Sequence, residues 1–517
     1  MLDQIDTGNS HTFRAKNCIT LQRHLCLTGC FSLSTLPPKA QTTTRRQQML
    51  PAHRTEDEGF SLPQFDLTPC DVDGFLDELQ AFHDQFRGCF ARSEPREHFF
   101  NYMVGQFSAL ERKSIEPMAL HVAGGNIRGM QRCMSDDMWD EDTMRETYHG
   151  LVADEMGDPQ GVLMVDESGF VKKGMESVGV ARQYCGTLGK VENSQVGVFA
   201  AYASRHGYAL VDKRLFIPEQ WLSDAYAERR HKCKMPDEAA FHTKPQLAAE
   251  MVRAIRSEGR LPFKYLVADC LYGNSPDFLD AVDACVGVTS LVAVPAETRC
   301  WLQRPLTTEK TYTYKGAVRA KRVLPPETQT PLTVAALAQS LASSCWYRRM
   351  VSEGTKGPIA YEFARKRVTL CKEGLPNRTG WLVLKRTLGS SPTYSSYISN
   401  APESTPLRLF VWLSGIRWAI EQCFEETKTE LGMAHYEVRK YPGWHHHLLT
   451  CMVAHFFLWH LKIRLGKKSP SADGVATAPL VSGDPPHTHL HGSRGPRAGG
   501  VGPAVQSPGL SVAQKAS

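Results

Sequence analysis

The sequence has no C-x-x-C pair among its 15 cysteines, and the closest two are Cys26 and Cys30. An odd, scattered set excludes a disulfide scaffold and a structural zinc site. These thiols are expected to be small buried apolar residues of a reducing cytosol. No window reaches the ~18 apolar residues of a membrane span. The closest run, Leu448 to Leu461, contains His455 and His460 and reads as a buried helix. The first 30 residues hold no charge-free apolar stretch, so secretion is not indicated. No internal repeat is present. Residues 470–517 lack Phe, Tyr, Trp, Ile and Met and hold 8 Gly and 7 Pro. Such a segment cannot offset its ordering entropy by burial, and disorder is expected over 467–517. The Ser/Thr/Gln-rich stretch 1–69 is read the same way, with Met49 as an alternative start.

What remains is ordinary and globular. Hydrophobic residues make up 42% and charged residues 22% of 517 positions, which excludes fibrous and wholly disordered classes. The net charge of +6 is unevenly spread. Residues 56–165 carry 22 acidic and 8 basic side chains, a net of −14. Residues 296–400 carry 17 Lys and Arg against 6 Glu and no Asp, a net of +11. Aromatics interleave with these cations: Trp301, Tyr312, Tyr314, Trp346, Tyr347, Tyr361, Phe363 and Trp381. That composition suits a surface that neutralises phosphates and stacks on bases. It suits a β-rich insert with a solvated basic face equally well.

The periodicity divides the ordered part. Residues 70–155 read as helices: Phe75, Leu79 and Phe82 with Phe86 following, then Met103–Leu110, Glu116–Val122 and Asp140–Val152. From residue 161 the pattern is of short buried strands at 161–166, 195–203 and 208–217. A helix follows, capped by Thr243 with Pro245 in its first turn and stopped by Gly259. A strand over 264–269, a helix over 277–286 and a strand over 289–294 complete a β-β-β-α-β-α-β order, an α/β fold with a mixed sheet. The expected organisation is a helical domain at 70–155, a core at 156–295, a basic β-rich insertion at 296–402 and closing helices at 403–466.

Asp166 and Asp269 each end an apolar run, where open α/β sheets present ligands and catalytic groups. Two such acids on neighbouring strands suit a hard cation such as Mg²⁺, which takes oxygen ligands. On a helix over 413–428, Arg417, Glu421 and Lys428 fall at 0°, about 40° and about 20°. One carboxylate between two cations suits phosphodiester chemistry, and an i,i+4 ion pair on a solvated face explains part of the same pattern. Glu167 is expected on the opposite face of its strand from Asp166. Gly186-Thr-Leu-Gly-Lys190 lacks the spacing of a phosphate loop, so no nucleotide cofactor is expected. His445-His446-His447 cannot all face one ion on a helix and reads as packing.

The set Asp166, Asp269, Glu421 resembles the acidic triad of DDE-superfamily insertion-sequence transposases. Arg417-x3-Glu421-x6-Lys428 is similar to part of the Y-x2-R-x3-E-x6-K signature of the insertion-sequence 4 group. The stretches Val165–Gly174, Ser177–Val198, Ala268-Asp-Cys-Leu-Tyr-Gly273 and Trp418–Trp444 resemble the insertion-sequence 701 branch more closely. The resemblance spans about residues 70 to 465. It implies a ribonuclease-H-like core and cutting and joining of DNA by Asp166, Asp269 and Glu421. Two Mg²⁺ ions would serve, with Mn²⁺ as a substitute. It implies phosphate contacts by Arg417 and Lys428, with weaker expectations for Lys172 and Lys173. Ser414 stands where the signature has Tyr and is expected among the phosphate-binding residues, its hydroxyl offering one hydrogen bond without the reach or the ring of Tyr. The 151 residues between Asp269 and Glu421 would be the DNA-touching insertion. The implied partner is double-stranded DNA, at element ends and target, bound by a homodimer in a bacterial nucleoid. An inactive DNA-binding derivative, a host nuclease of the same fold and a metal-independent acid/base hydrolase are the competing readings.

Overall fold

Thr243 and Gln246 bond each other's backbone N–H groups at the start of one helix, and Gly259, at φ 69°, ends it. Those are the local signals expected at both boundaries. In this computed structural model the described residues are 74–466, apart from 138, 316, 355 and 356. The expected disordered ends lie outside the described residues.

Five helices come first: α1 (Phe75–His83), α2 (Ser93–Gln106), α3 (Ile115–His121), α4 (Ile127–Ser135) and α5 (Glu141–Met156). α2 begins ten residues before the expected Met103, because Pro95 in its first turn starts a helix rather than breaking one. α4 was not anticipated; Asn126 caps it by accepting from the Gly129 N–H at 2.9 Å. Then come β1 (Val162–Val171), β2 (Ala181–Cys185), β3 (Lys190–Ser204), β4 (Gly207–Phe216), α6 (Ala227–Lys232), α7 (Lys244–Glu258), β5 (Tyr265–Ala268), α8 (Cys270–Gly273), α9 (Pro276–Asp283) and β6 (Thr289–Val294). The basic stretch supplies β7 (Arg299–Trp301), β8 (Thr308–Tyr314), β9 (Ala317–Val323), β10 (Leu332–Thr333), α10 (Val334–Ser340), β11 (Tyr347–Gly354), β12 (Gly357–Lys372), β13 (Leu375–Arg386) and β14 (Tyr394–Ser399). Three helices close the described chain: α11 (Leu407–Ile416), α12 (Trp418–Thr429) and α13 (Tyr441–Gly466).

A twelve-stranded mixed sheet runs β10-β7-β12-β13-β14-β6-β5-β1-β3-β2, with β11 beside β12 and β4 beside β3. β1, β5 and β6 are mutually parallel, and every other pairing is antiparallel. The β4-β3-β1-β5-β6 portion is the part read from the sequence. β2, which pairs with residues 190–194 of β3, was not anticipated. Within the basic stretch β14 pairs with β6, so most of its strands extend the central sheet. Among the described residues only the β8–β9 hairpin, exposed along nearly all its length, forms a sheet of its own.

α13 contains the apolar run Leu448–Leu461 and is buried along it, as expected. It joins the helical segment to the sheet. Phe457 packs on Phe75 and Phe82 at 5.5 and 5.0 Å between centroids, and Trp459 packs on Tyr208 of β4 at 4.7 Å. Each such ring contributes roughly 2–3 kcal/mol by burial. Among the described residues, no helix is long and apolar enough to cross a membrane.

Candidate active site

β5 is a four-residue buried strand, and the chain turns at once into α8. Asp269 makes that turn: its Oδ1 accepts from the Cys270 N–H at 2.6 Å and its carbonyl accepts from the Tyr272 and Gly273 N–H groups. A Cβ on Gly273 would lie 2.0 Å from the Ala293 carbonyl oxygen of β6. Glycine there lets α8 sit on the sheet edge and fixes where Asp269 begins.

Asp166 does not end its strand, as the sequence suggested; it is the fifth of ten residues in β1. What ends is its neighbour. Val165–Ala268 is the last β1–β5 pair, so Asp166 stands level with Asp269, where the parallel pairing stops. Glu167 turns to the opposite face and pairs with Lys244 of α7 at 2.9 Å, as alternation required.

The expected single helix over 413–428 is two helices joined at Arg417. Arg417 keeps right-handed helical angles (φ −56°, ψ −25°), so the i,i+4 geometry survives the joint. Its guanidinium forks across two carboxylates: Nη1 donates to Asp166 Oδ2 at 2.9 Å and Nη2 donates to Glu421 Oε1 at 2.5 Å. Residues 251 positions apart in the chain are thereby brought together. The Asp166 side chain is 16% exposed and that of Glu421 is 56% exposed, so the site opens on the Glu421 side. Burial pushes the Asp166 carboxyl up to about 6, with Asp269 and Glu421 adding and Arg417 and the Glu167 N–H opposing. Burial disfavours the Arg417 charge, but Asp166, Glu421 and Asp269 outweigh it and raise its pKa.

The other expected residues lie differently. Lys428 faces Gly169 O (3.4 Å) and Thr187 Oγ1 (3.2 Å), with its pKa lowered by burial. Ser414 donates to the Val411 carbonyl at 2.8 Å, so its hydrogen is used within α11. Lys172 turns inward, 3.0 Å from the Tyr436 carbonyl and 3.2 Å above its ring, and burial lowers its pKa to about 7. Lys173 is exposed. His445 and His446 both face Glu141, at 3.8 and 3.4 Å, with His446 also stacked on Trp139 at 4.1 Å, while His447 meets Tyr102. Among the described residues, no three His, Cys, Asp or Glu converge closely enough to hold a metal ion; Arg417 lies between Asp166 and Glu421 instead.

Two features escaped the sequence reading. Tyr272 lies two residues beyond Cys270; its hydroxyl is buried without a hydrogen-bond partner, and burial, together with Asp166, Glu167 and Asp269, raises its pKa. The Asp-x-x-Tyr spacing could have flagged it. The second is the support of α12 from below. Glu426 accepts from Tyr208 Oη at 2.8 Å and meets His455 Nε2 of α13 at 2.7 Å, all three buried. Burial alone would raise the Glu426 carboxyl; the His455 and Tyr208 bonds prevail and hold it below the ordinary range. Glu426→Ala removes the buried carboxylate that Tyr208 and His455 share, and a loss of roughly 3–5 kcal/mol is expected in denaturant melts. Because the folded pKa is depressed, this contribution is present above about pH 4.3 and is lost as pH falls through the folded value.

A family model described as "DDE superfamily endonuclease" matches residues 85–358. That span holds Asp166 and Asp269 and ends before Arg417. The chain is 25% identical over 345 residues to "Probable transposase for insertion sequence element IS701" of Microchaete diplosiphon, covering 66% of this chain and 77% of that protein. Among solved structures it aligns with a piggyBac transposase synaptic complex with hairpin DNA at a TM-score of 0.31 and 8% identity, covering 83% of this chain and 77% of that one. A score that low does not establish a shared fold.

Proposed function

The chain belongs to the DDE superfamily of endonucleases, and from that premise we propose that it is a transposase that cuts the ends of an insertion sequence and joins them to target DNA. The observation that carries the reading is the Arg417 fork, which gathers Asp166 and Glu421 at the point where Asp269 leaves the adjacent strand. The succession β1, β3, β4, α7, β5, α9, β6, to which β2, α6 and α8 are additions, and the parallel trio β1, β5, β6 support a ribonuclease-H-like core beneath it.

Asp166, Asp269 and Glu421 would hold the divalent ions, two Mg²⁺ by preference. The fit rests on donor chemistry: every side chain offered is a carboxylate, suited to a hard cation, and Asp269 and Glu421 both bear on the Asp166 carboxyl, whose pKa burial first raises. Ions bound there supply activation of the attacking oxygen and charge stabilisation at the leaving 3′ oxygen. The chain's own groups do the rest. Arg417 offers two parallel N–H donors that match a phosphate as well as they match two carboxylates. A scissile phosphate arriving at the open Glu421 side competes for that fork. Taking it releases Asp166 and Glu421 toward Asp269. Lys428 lies further along α12 and serves the strand beside the cut. Ser414 has neither the reach nor a free hydrogen to replace a Tyr at the phosphate. Joining two element ends calls for two copies of this one site, so the working assembly is a homodimer on DNA.

The test is incubation with a supercoiled plasmid carrying the gene and its native flanks, with Mg²⁺ or with EDTA. Cuts mapping to the element boundaries in Mg²⁺ alone are expected. Binding to the flanks without cutting in any divalent metal identifies the inactive derivative. Cutting in EDTA identifies a metal-independent hydrolase.

A further inference from the structure

Because the basic strands continue the central sheet, their register shows which side chains share a face with the acids. Residues paired across a sheet point to the same side. Val165 pairs with Ala268, Ala268 with Val292 and Val292 with Ile398. The next row is therefore Asp166, Asp269, Ala293 and Tyr397. Tyr397 pairs with Val383, and Val383 with Arg365. Two residues along β13, Lys385 falls on the same face, as does Tyr361, two residues before Phe363, its partner on β12. Tyr361 in turn pairs with Arg349 on β11.

Lys385 stands on the same face, two residues along β13 from this row. Its Nζ lies 4.5 Å from the Tyr361 ring centroid and 5.9 Å from that of Tyr397. It is half-buried, and rings hold it rather than a carboxylate. It lies within the field of Arg417 and Glu421, and burial followed by Arg417 lowers its pKa. Arg417 is committed to two acids; Lys385 is held by rings instead, and its charge is best satisfied by an arriving anion. Further along the same strands is a cavity of about 340 Å³ lined by Cys345, Tyr347, Arg349, Arg365, Lys366 and Leu407, with no acid among them.

We infer that Lys385 binds substrate: its ammonium takes the DNA phosphate next to the scissile one, and the strand leaves the acids across β14 and β13 toward the Arg349–Arg365 cavity. The inference rests on the transposase reading above and adds a direction to it. Lysine gives a point charge suited to a single phosphate, and the flanking rings give faces on which a neighbouring base can stack.

The test is the salt dependence of binding to a labelled duplex spanning an element end and its flank, for wild type, Lys385→Ala, Lys385→Gln and Lys385→Arg. Lys385→Ala and Lys385→Gln are expected to bind roughly tenfold more weakly, with the log–log salt slope shallower by about one. Lys385→Arg restores most of both. Lys385→Gln keeps the stem over the Tyr361 ring, so it reports on charge even where Lys385→Ala fails to fold. A neutral methylphosphonate next to the cut should weaken wild type by the same factor and leave Lys385→Gln unaffected, as coupled groups require. Wild-type affinity and slope in Lys385→Gln overturn the inference and leave the transposase reading standing. Absence of wild-type binding to the element end overturns that reading itself.

Discussion

Asp269→Asn is expected to abolish cutting while sparing both fold and DNA binding. Asn caps a helix as well as Asp does, so the Cys270 N–H keeps its acceptor and α8 keeps its seat on β6. What is lost is a negative oxygen at the level where β1 and β5 part. A divalent ion that this oxygen would help to hold would supply several kcal/mol of charge stabilisation to a phosphodiester transition state, and each ~1.36 kcal/mol is tenfold in rate. A fall of roughly a thousandfold or more is the expected result in a plasmid cutting assay. Retained binding to the flanks and an unchanged melting temperature accompany it. A variant that cuts within tenfold of wild type removes Asp269 from the site.

Arg417→Ala carries the second large effect, and it separates two roles of one side chain. Without the guanidinium, Asp166 and Glu421 lose their shared partner. The Asp166 carboxyl, already pushed up to about 6 by burial, then rises further. The scissile phosphate also loses its fork. Removal of one such preorganised donor costs roughly a hundredfold to a thousandfold in turnover. Arg417→Lys keeps the charge but cannot reach two acceptors in one plane, so only partial recovery is expected. Single-turnover cutting rates at saturating enzyme give the measurement. Full activity in Arg417→Lys would show that charge alone is used, and not the fork.

The parts of the site that lie within one element were legible in the sequence. Arg417 and Glu421 are one turn apart, and a helical reading pairs them even though the helix is jointed between Ile416 and Trp418. Alternation along β1 separates Asp166 from Glu167 correctly. Parts that depend on neighbours were not legible. Asp166 read as a strand end because an apolar run stops there, yet β1 continues through Ser168 and Gly169 beside β3, well past the end of β5. Lys172 read as a surface cation, and a Tyr436 ring 264 positions away takes it inward. Lys385 was marked only as one cation of the basic stretch, because its relation to Asp166 passes through β14, β6 and β5 in turn. Composition marked the basic stretch and its aromatics. It could not reveal that several are spent within the chain, with Arg365 over Trp381 at 4.4 Å and Arg386 over Trp346 at 4.1 Å.

One site is expected both to cut and to join. The most direct measurement uses pre-cut element ends with a free 3′-hydroxyl, mixed with a circular target plasmid and Mg²⁺. Wild type is expected to insert these ends into the target, and ends lacking the 3′-hydroxyl should give no product. Asp166→Asn, Asp269→Asn and Glu421→Gln are each expected to lose joining and cutting together. Cutting at element ends without any joined product would contradict the claim and leave a nuclease; so would joining that survives in any of the three variants.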